Sequence, residues 1–328
     1  MQRSARAGRA VRTAAVWATV RAGLHEQAAR SGRPLRVLDL GGGTGELAVP
    51  IAELGPHVVA QVAVVDPSPD ALAALQRRAA DAGVADRVHA VQGDADTLTE
   101  ALAQLPRPAQ PADVDRGAAA AATDRDGAAT DTDDTAGTDD TAGTDDTAGT
   151  DDTTGTDDTT GTDDTAGTDG PAERRHTGFD LVCCHGVLEV VDDPAATLTA
   201  IAGALVPGGH VSLLVAGRLA AVLARALAGE LGQAHRALTS PDARWGAHDP
   251  LPRRFDLAGL RTLVEQAGLT VEHWHGVRLL ADLVPPAVVD TDSGRAELLA
   301  LEEALAGHPA YPLLGELGAG LHLLARRP

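Results

Sequence analysis

Val37-Leu38-Asp39-Leu40-Gly41-Gly42-Gly43-Thr44-Gly45-Glu46-Leu47-Ala48 reads as the end of a strand, a glycine bend and the opening of a helix. Arg36 to Leu40 is a short, mostly apolar run without polar alternation, the pattern of a strand covered on both faces. Glycines let the backbone turn sharply and let a ligand approach without interference from a Cβ. The pattern is Asp-x-Gly-x-Gly-x-Gly, headed by Asp39. It is not the dinucleotide fingerprint, because Glu46 stands where that motif's third glycine belongs.

Outward from this bend, strands and helices alternate. Glu46 to Leu54 has helical spacing, and Val58 to Val65 is a second apolar run ending at Asp66. Ser68 to Gly83 predicts a helix with Ser68 as N-cap and Gly83 as its stop. Arg87 to Val91 is a third strand, ending near Gly93-Asp94, and Phe179 to Cys184 is a fourth. Ala195 to Leu205 predicts a helix closed by Pro207-Gly208-Gly209, and His210 to Val215 a fifth strand. Such alternation predicts an α/β fold, a parallel sheet with helices on both faces. The adjacent Cys183 and Cys184 are expected to face opposite sides of the sheet as buried small residues.

In open parallel sheets ligands bind beyond the carboxyl ends of the strands. Those ends carry Asp39 with Gly41, Gly42, Gly43 and Gly45, then Asp66, then Asp94-Ala95-Asp96, then His185. A carboxylate at Asp66 can accept hydrogen bonds from both hydroxyls of a ribose. An acid at Asp94 or Asp96 can accept from the amino group of an adenine. An acid at the opening of the first helix is awkward beside a pyrophosphate. A phosphate-free ligand carrying an ammonium and a sulfonium suits the bend better. His185 is a candidate to contact cofactor or substrate, or to act as a base.

The chain has 328 residues and a formal net charge of -20, with 27 basic residues, all Arg. Ala112 to Ala172 holds 18 Asp, 2 Arg and no Glu, so all but 4 of the net negative charges lie in that stretch. Residues 132–167 are six copies of Thr-Asp-Asp-Thr-(Ala/Thr)-Gly. Their Ala and Thr methyl groups cannot offset the ordering entropy, so residues 107–177 are expected to form a disordered insert. It divides the domain into residues 1–106 and 178–328. The repeat spacing matches neither the EF-hand loop nor the nonapeptide β-helix, and no metal site is expected. A basic nucleic-acid binder of the histone kind is excluded, and two adjacent cysteines exclude a disulfide scaffold. No apolar run reaches 18 residues, and Met1 to Arg12 lacks the apolar stretch of a signal peptide. The expected location is the cytoplasm, with no membrane partner.

The segments VLDLGGGTGELA, VAVVDPSP, VQGDADTL, FDLVCCHGVLEVVDDP and LVPGGHVSLL together resemble class I S-adenosylmethionine-dependent methyltransferases. The resemblance implies a Rossmann-like, mostly parallel seven-stranded sheet whose last strand is antiparallel, with S-adenosyl-L-methionine as cofactor. GRAVRTAAVW, HGVLEVVDDP and LLALEEALAGHPAYPLLGELGAGLHLLARRP are similar to the bacterial tRNA 5-carboxymethoxyuridine methyltransferases, which methylate the carboxylate of a modified wobble uridine. That similarity implies that Arg12 contacts the cofactor carboxylate, Gly41 and Gly42 line the cofactor, and Asp66 takes the ribose. It implies that Ala95 and Asp96 lie on the adenine side and His185 on the methyl-donor side. Val190 stands where that family has an aromatic residue.

The acceptor is then tRNA or, alternatively, a small molecule; a non-catalytic cofactor-binding protein is a third reading. A carboxylate acceptor needs no general base but does need a cation to hold it. Arg218, Arg244, Arg253 and Arg254 lie in segment 216–255, where acceptor-binding insertions belong. Leu219 to Leu231 predicts one amphipathic lid helix there, and Trp245 and Tyr311 are the aromatics nominated to stack on a base. Deletion of Ala112 to Ala172 is expected to leave folding and turnover nearly intact; a large fall in melting temperature would show the repeat to be structural.

Overall fold

The computed structural model describes residues 2–105 and 178–328, side chains of 2–15 and Pro286 excepted. The acidic repeat lies outside the described residues. Met1–Leu105 and His176–Pro328 form one unit. A long helix, α1 (Gln2–Ser31), precedes the first strand. The strands are β1 (Leu35–Leu40), β2 (Val59–Asp66), β3 (Val88–Gln92), β4 (Phe179–His185), β5 (Leu205–Ala216), β6 (Thr270–Val277) and β7 (Gly320–Arg326). They form one seven-stranded sheet in the order β3-β2-β1-β4-β5-β7-β6. β1, β2, β3, β4 and β5 pair in parallel; β7 runs antiparallel to both β5 and β6. This is the expected Rossmann-like, mostly parallel architecture, with helices on both faces.

The strands are apolar on both sides because both sides are covered. Leu38, Leu40, Ala63, Val65, Cys184 and Leu213 belong to one buried cluster; Val37, Val62, Val64, Leu181 and Cys183 belong to the other. The two cysteines therefore face opposite sides of the sheet, as their alternation requires. Burial pushes both thiols upward in pKa, which leaves them inert. Val16, Val20 and Leu24 of α1 recur at helical spacing and pack into the second cluster.

Local signals set the helix boundaries. After the short helix α2 (Ala48–Ala52) comes α3 (Pro69–Asp81), where the Ser68 hydroxyl accepts from the Ala71 amide at 3.2 Å and Gly83 follows with φ +69°. In the helix Pro194–Ala204, Asp193 accepts from the amides of Ala195 and Ala196 at 2.9 and 3.0 Å.

Three expectations need correction. The first helix after the bend is only Ala48–Ala52, because residues 43–47 are taken up by the turn. Pro207-Gly208-Gly209 does not close a helix; it is an irregular stretch inside β5, where the β4 pairing jumps from Phe179↔Leu205 to Leu181↔His210. The single lid helix is two, Arg218–Leu227 and Leu231–Thr239, broken at Gly229 with φ +79°.

β1 lies between β2 and β4, so the chain winds outward in opposite directions on its two sides. The crevice beyond the carboxyl ends of β1 and β4 is the topological switch point of this sheet. At the opposite end, Asp180 fastens β4 to β1. Its buried carboxylate accepts from the Arg33 guanidinium at 3.0 and 2.7 Å and from the Arg36 amide at 2.8 Å. Asp180→Ala leaves that amide unpaired, a cost of roughly 1–3 kcal/mol, and is expected to lower the melting temperature by at least about 2 °C. An unchanged melting curve would show the pair to be surplus.

Candidate active site

The glycine bend is shaped by close packing. Gly41 has φ +71°, and a Cβ there would come within 2.4 Å of Val187 Cγ2 in the turn after β4. Gly45 has φ +77°, and its Cβ would meet Leu75 Cδ1 at 2.2 Å. A side chain at either position would push the bend off the sheet or off α3. A Cβ on Gly42 would meet Asp39 Oδ2 at 2.5 Å, so that residue also stays bare.

Two carboxylates hold the bend. Asp66, at the end of β2, accepts from the Gly43 amide through Oδ2 and from the Ser68 amide through Oδ1, both at 2.9 Å. Asp39 lies buried beneath the same turn, and its Oδ2 has no hydrogen-bond partner. Burial, reinforced by the negative charge of Asp66 and opposed by a hydrogen bond from the Ala48 backbone, pushes the Asp39 carboxyl up to about 7. Two acids and an unpartnered carboxylate oxygen at this bend favour a cationic guest and disfavour a phosphate. The residues thus fit a sulfonium nucleoside.

Of the third strand end, Ala95 is buried while Asp94 and Asp96 are exposed. Asp94 Oδ1 accepts from the Thr97 hydroxyl at 2.6 Å and amide at 2.8 Å, which holds its pKa below the ordinary carboxylate range. It therefore closes a local turn. The Arg12 side chain lies outside the described residues.

His185 ends β4 one residue past Cys184, which pairs with Leu40, and so stands level with Gly41. Its Nε2 lies 2.8 Å from the hydroxyl of Ser212. Burial lowers its pKa to about 4, so the ring is neutral at physiological pH. Four residues on, the buried Glu189 accepts from the Ala216 amide through Oε1 at 2.6 Å, while its Oε2 has no partner; burial raises its pKa.

Ala216 and Gly217 begin a cavity of about 260 Å³ beyond the end of β5. Ala220, Ala221, Leu251, Leu279 and Leu283 supply apolar wall, and Arg225, Arg254, Arg278 and Asp282 supply charge. The Arg225 guanidinium sits 4.8 Å over the Trp245 ring. Sequence reading missed Arg225, Arg278 and Glu189, whose roles depend on neighbours distant in the chain.

The four nominated arginines are largely engaged elsewhere. Arg218 donates to the carbonyls of Leu238, Ser240 and Pro241 at 3.0–3.1 Å. Arg244 donates to the Gly246 carbonyl at 3.5 Å. Arg253 donates to the carbonyls of Leu188, Val191 and Asp192. Arg254 forms a bidentate pair with buried Asp249 at 2.6 and 2.8 Å. Trp245 lines the cavity. Tyr311 does not: it stacks on Trp274 and exchanges hydrogen bonds with the backbone of Gly276. Among the described residues no group of acids, histidines and cysteines is placed to hold a metal, and no helix is long and apolar enough to cross a membrane.

The family model described as "Methyltransferase domain" matches residues 12–274, more than half of the chain. Among solved structures the chain is similar to an S-adenosylmethionine-dependent methyltransferase from Mesorhizobium loti, at 16% identity, 90% of this chain and 92% of that one covered, and TM-score 0.45. It is similar to a methyltransferase from Bacillus halodurans at 15% identity, with 94% and 98% covered and TM-score 0.42. The plantazolicin methyltransferase solved with S-adenosylhomocysteine is similar at 10% identity, with 97% and 85% covered and TM-score 0.46. No curated protein matches.

The buried Asp39 binds its proton more tightly when folded than when unfolded. Stability therefore falls as pH climbs from the ordinary carboxylate range towards 7 and above. Asp39→Asn is expected to melt with the native protein near pH 4 and above it at pH 8, by at least about 2 °C. Equal melting temperatures at pH 8 would show that Asp39 ionises without penalty.

Proposed function

We propose a small-molecule acceptor for this chain, which belongs to the methyltransferase-domain family and is an S-adenosylmethionine-dependent methyltransferase. The cavity of about 260 Å³ beyond β5 carries the reading. It begins two residues past Leu214, the strand partner of His185, and its walls are mostly Ala and Leu. A space of that size and lining takes one ring or a short chain, not a polynucleotide surface.

The cofactor reading is carried residue by residue. Asp66 takes the ribose hydroxyls on lone pairs left after the Gly43 and Ser68 amides. Ala95 and Asp96 lie on the adenine side, with Asp94 held back by Thr97. Gly41, Gly42, His185 and Arg12 attend the amino-acid end. When bound, S-adenosylmethionine supplies an electrophilic methyl group on a cationic sulfur. The protein's part is to align the acceptor with that methyl and to exclude water. The apolar cavity walls do the second, and Arg225, spread over Trp245, offers a cation to an anionic acceptor group.

A wobble-uridine carboxylate in tRNA is the competing acceptor. It would draw on Arg218, Arg253 and Arg254, and each of these is already committed to backbone carbonyls or to Asp249. The surplus of negative charge also opposes a polyanion.

Methyl-labelled S-adenosylmethionine, offered with the low-mass fraction of a cell extract and separately with bulk tRNA, tests the acceptor. Label is expected in the low-mass fraction; label in tRNA alone would overturn the reading. Ala221→Phe is expected to abolish transfer while calorimetric affinity for S-adenosylhomocysteine holds. Asp66→Ala is expected to lose that affinity.

A further inference from the structure

Four neighbouring strands of the sheet place a polar row on one face. His185 on β4, Ser212 on β5, His322 on β7 and His275 on β6 follow one another across the sheet. The Ser212 hydroxyl lies 2.8 Å from His185 Nε2 and 2.8 Å from His322 Nε2. His275 stands against His322 with ring centroids 4.6 Å apart. Ser212 and His322 are sealed from solvent, at 0% and 1% exposure. Among the described residues no charged side chain compensates the row, and burial lowers the pKa of all three imidazoles.

The hydroxyl has a single proton, so it can donate to one imidazole and must accept from the other. The surroundings decide which. His322 Nδ1 is buried without a partner, and a bare lone pair is better tolerated there than an orphaned N–H. His322 therefore carries its proton on Nε2 and donates it to Ser212. Ser212 then donates to His185 Nε2, which must be bare, and the His185 proton sits on Nδ1. That nitrogen has no hydrogen-bond partner among the described residues and is not sealed, so an N–H is tolerated there.

We propose that Ser212 and His322 are positioning residues that hold His185 as a neutral Nδ1–H donor to bound S-adenosylmethionine, at the level of the glycine bend. In this state His185 presents no lone pair to the crevice and does not serve as a general base. A proton passed inward would also stop at His322, whose far nitrogen has no partner. The proposal rests on the cofactor reading above and adds to it a fixed protonation state and two residues remote from the ligand.

Long-range proton–nitrogen correlation spectra of the full chain labelled with ¹⁵N-histidine test it. In the free protein His185 is expected with Nδ1 protonated and Nε2 bare, and His322 with the reverse. Finding Nε2 of His185 protonated would overturn the proposal. With S-adenosylhomocysteine added, the His185 Nδ1 proton is expected to move downfield; no movement despite calorimetric binding would overturn its assignment to the cofactor. Ser212→Ala is expected to release His185 to the Nε2–H form and weaken S-adenosylhomocysteine by roughly tenfold, while Ser212→Thr restores both. Should the native chain fail to bind S-adenosylhomocysteine at all, the cofactor reading falls, and the tautomer measurement still stands or falls by itself.

Discussion

Asp66 draws together three pieces of backbone that must be in register before a nucleoside can be held. One oxygen takes the Gly43 amide from the bend after β1, and the other takes the Ser68 amide at the head of α3. The strand end, the bend and the next helix are thus fixed to one carboxylate. Asp39 beneath them sits close enough to feel the negative charge of Asp66. Asp66 has two amide donors, whereas Asp39, with one oxygen unpartnered, is raised by burial and by the neighbouring charge of Asp66 to about 7. The result is a bend of negative character, the opposite of the amide-lined cradle that receives a pyrophosphate.

The second half of the sheet supplies what the first half lacks. β7 is inserted antiparallel between β5 and β6, and this reversal carries His322 from near the end of the chain to Ser212. It also brings Ala319, just ahead of β7, to the cavity wall opposite Ala216. The cavity is accordingly built from segments more than a hundred residues apart. The glycine bend and the acids around it come mainly from consecutive strand ends.

Arginine does two jobs in a chain without lysine. Arg253 reaches back to the turn after β4, and Arg218 gathers the carbonyls after the helix Leu231–Thr239. A planar fork with several donors suits this bridging of carbonyls, which a lysine ammonium would do less well. That use explains why Arg218 and Arg253, which look available in the sequence, are committed to backbone carbonyls, while Arg225, resting on Trp245, lines the cavity.

Five strands, their polarity and the residues at their carboxyl ends were legible in the sequence, because each depends on neighbours a few positions away. Apolar runs ending in Asp39, Asp66 and His185, the bare glycines between strand and helix, and the cap at Ser68 are local facts of chain chemistry. β6 was not legible from pattern: it is an edge strand, only partly buried, with three histidine or acidic residues in Glu272, His273 and His275. Nor could the sequence tell that Tyr311 would be absorbed by Trp274 and Gly276, or that Ser212 would stand between two imidazoles. Those outcomes turn on which distant groups share a buried hydrogen bond, and only the closed sheet sets those distances.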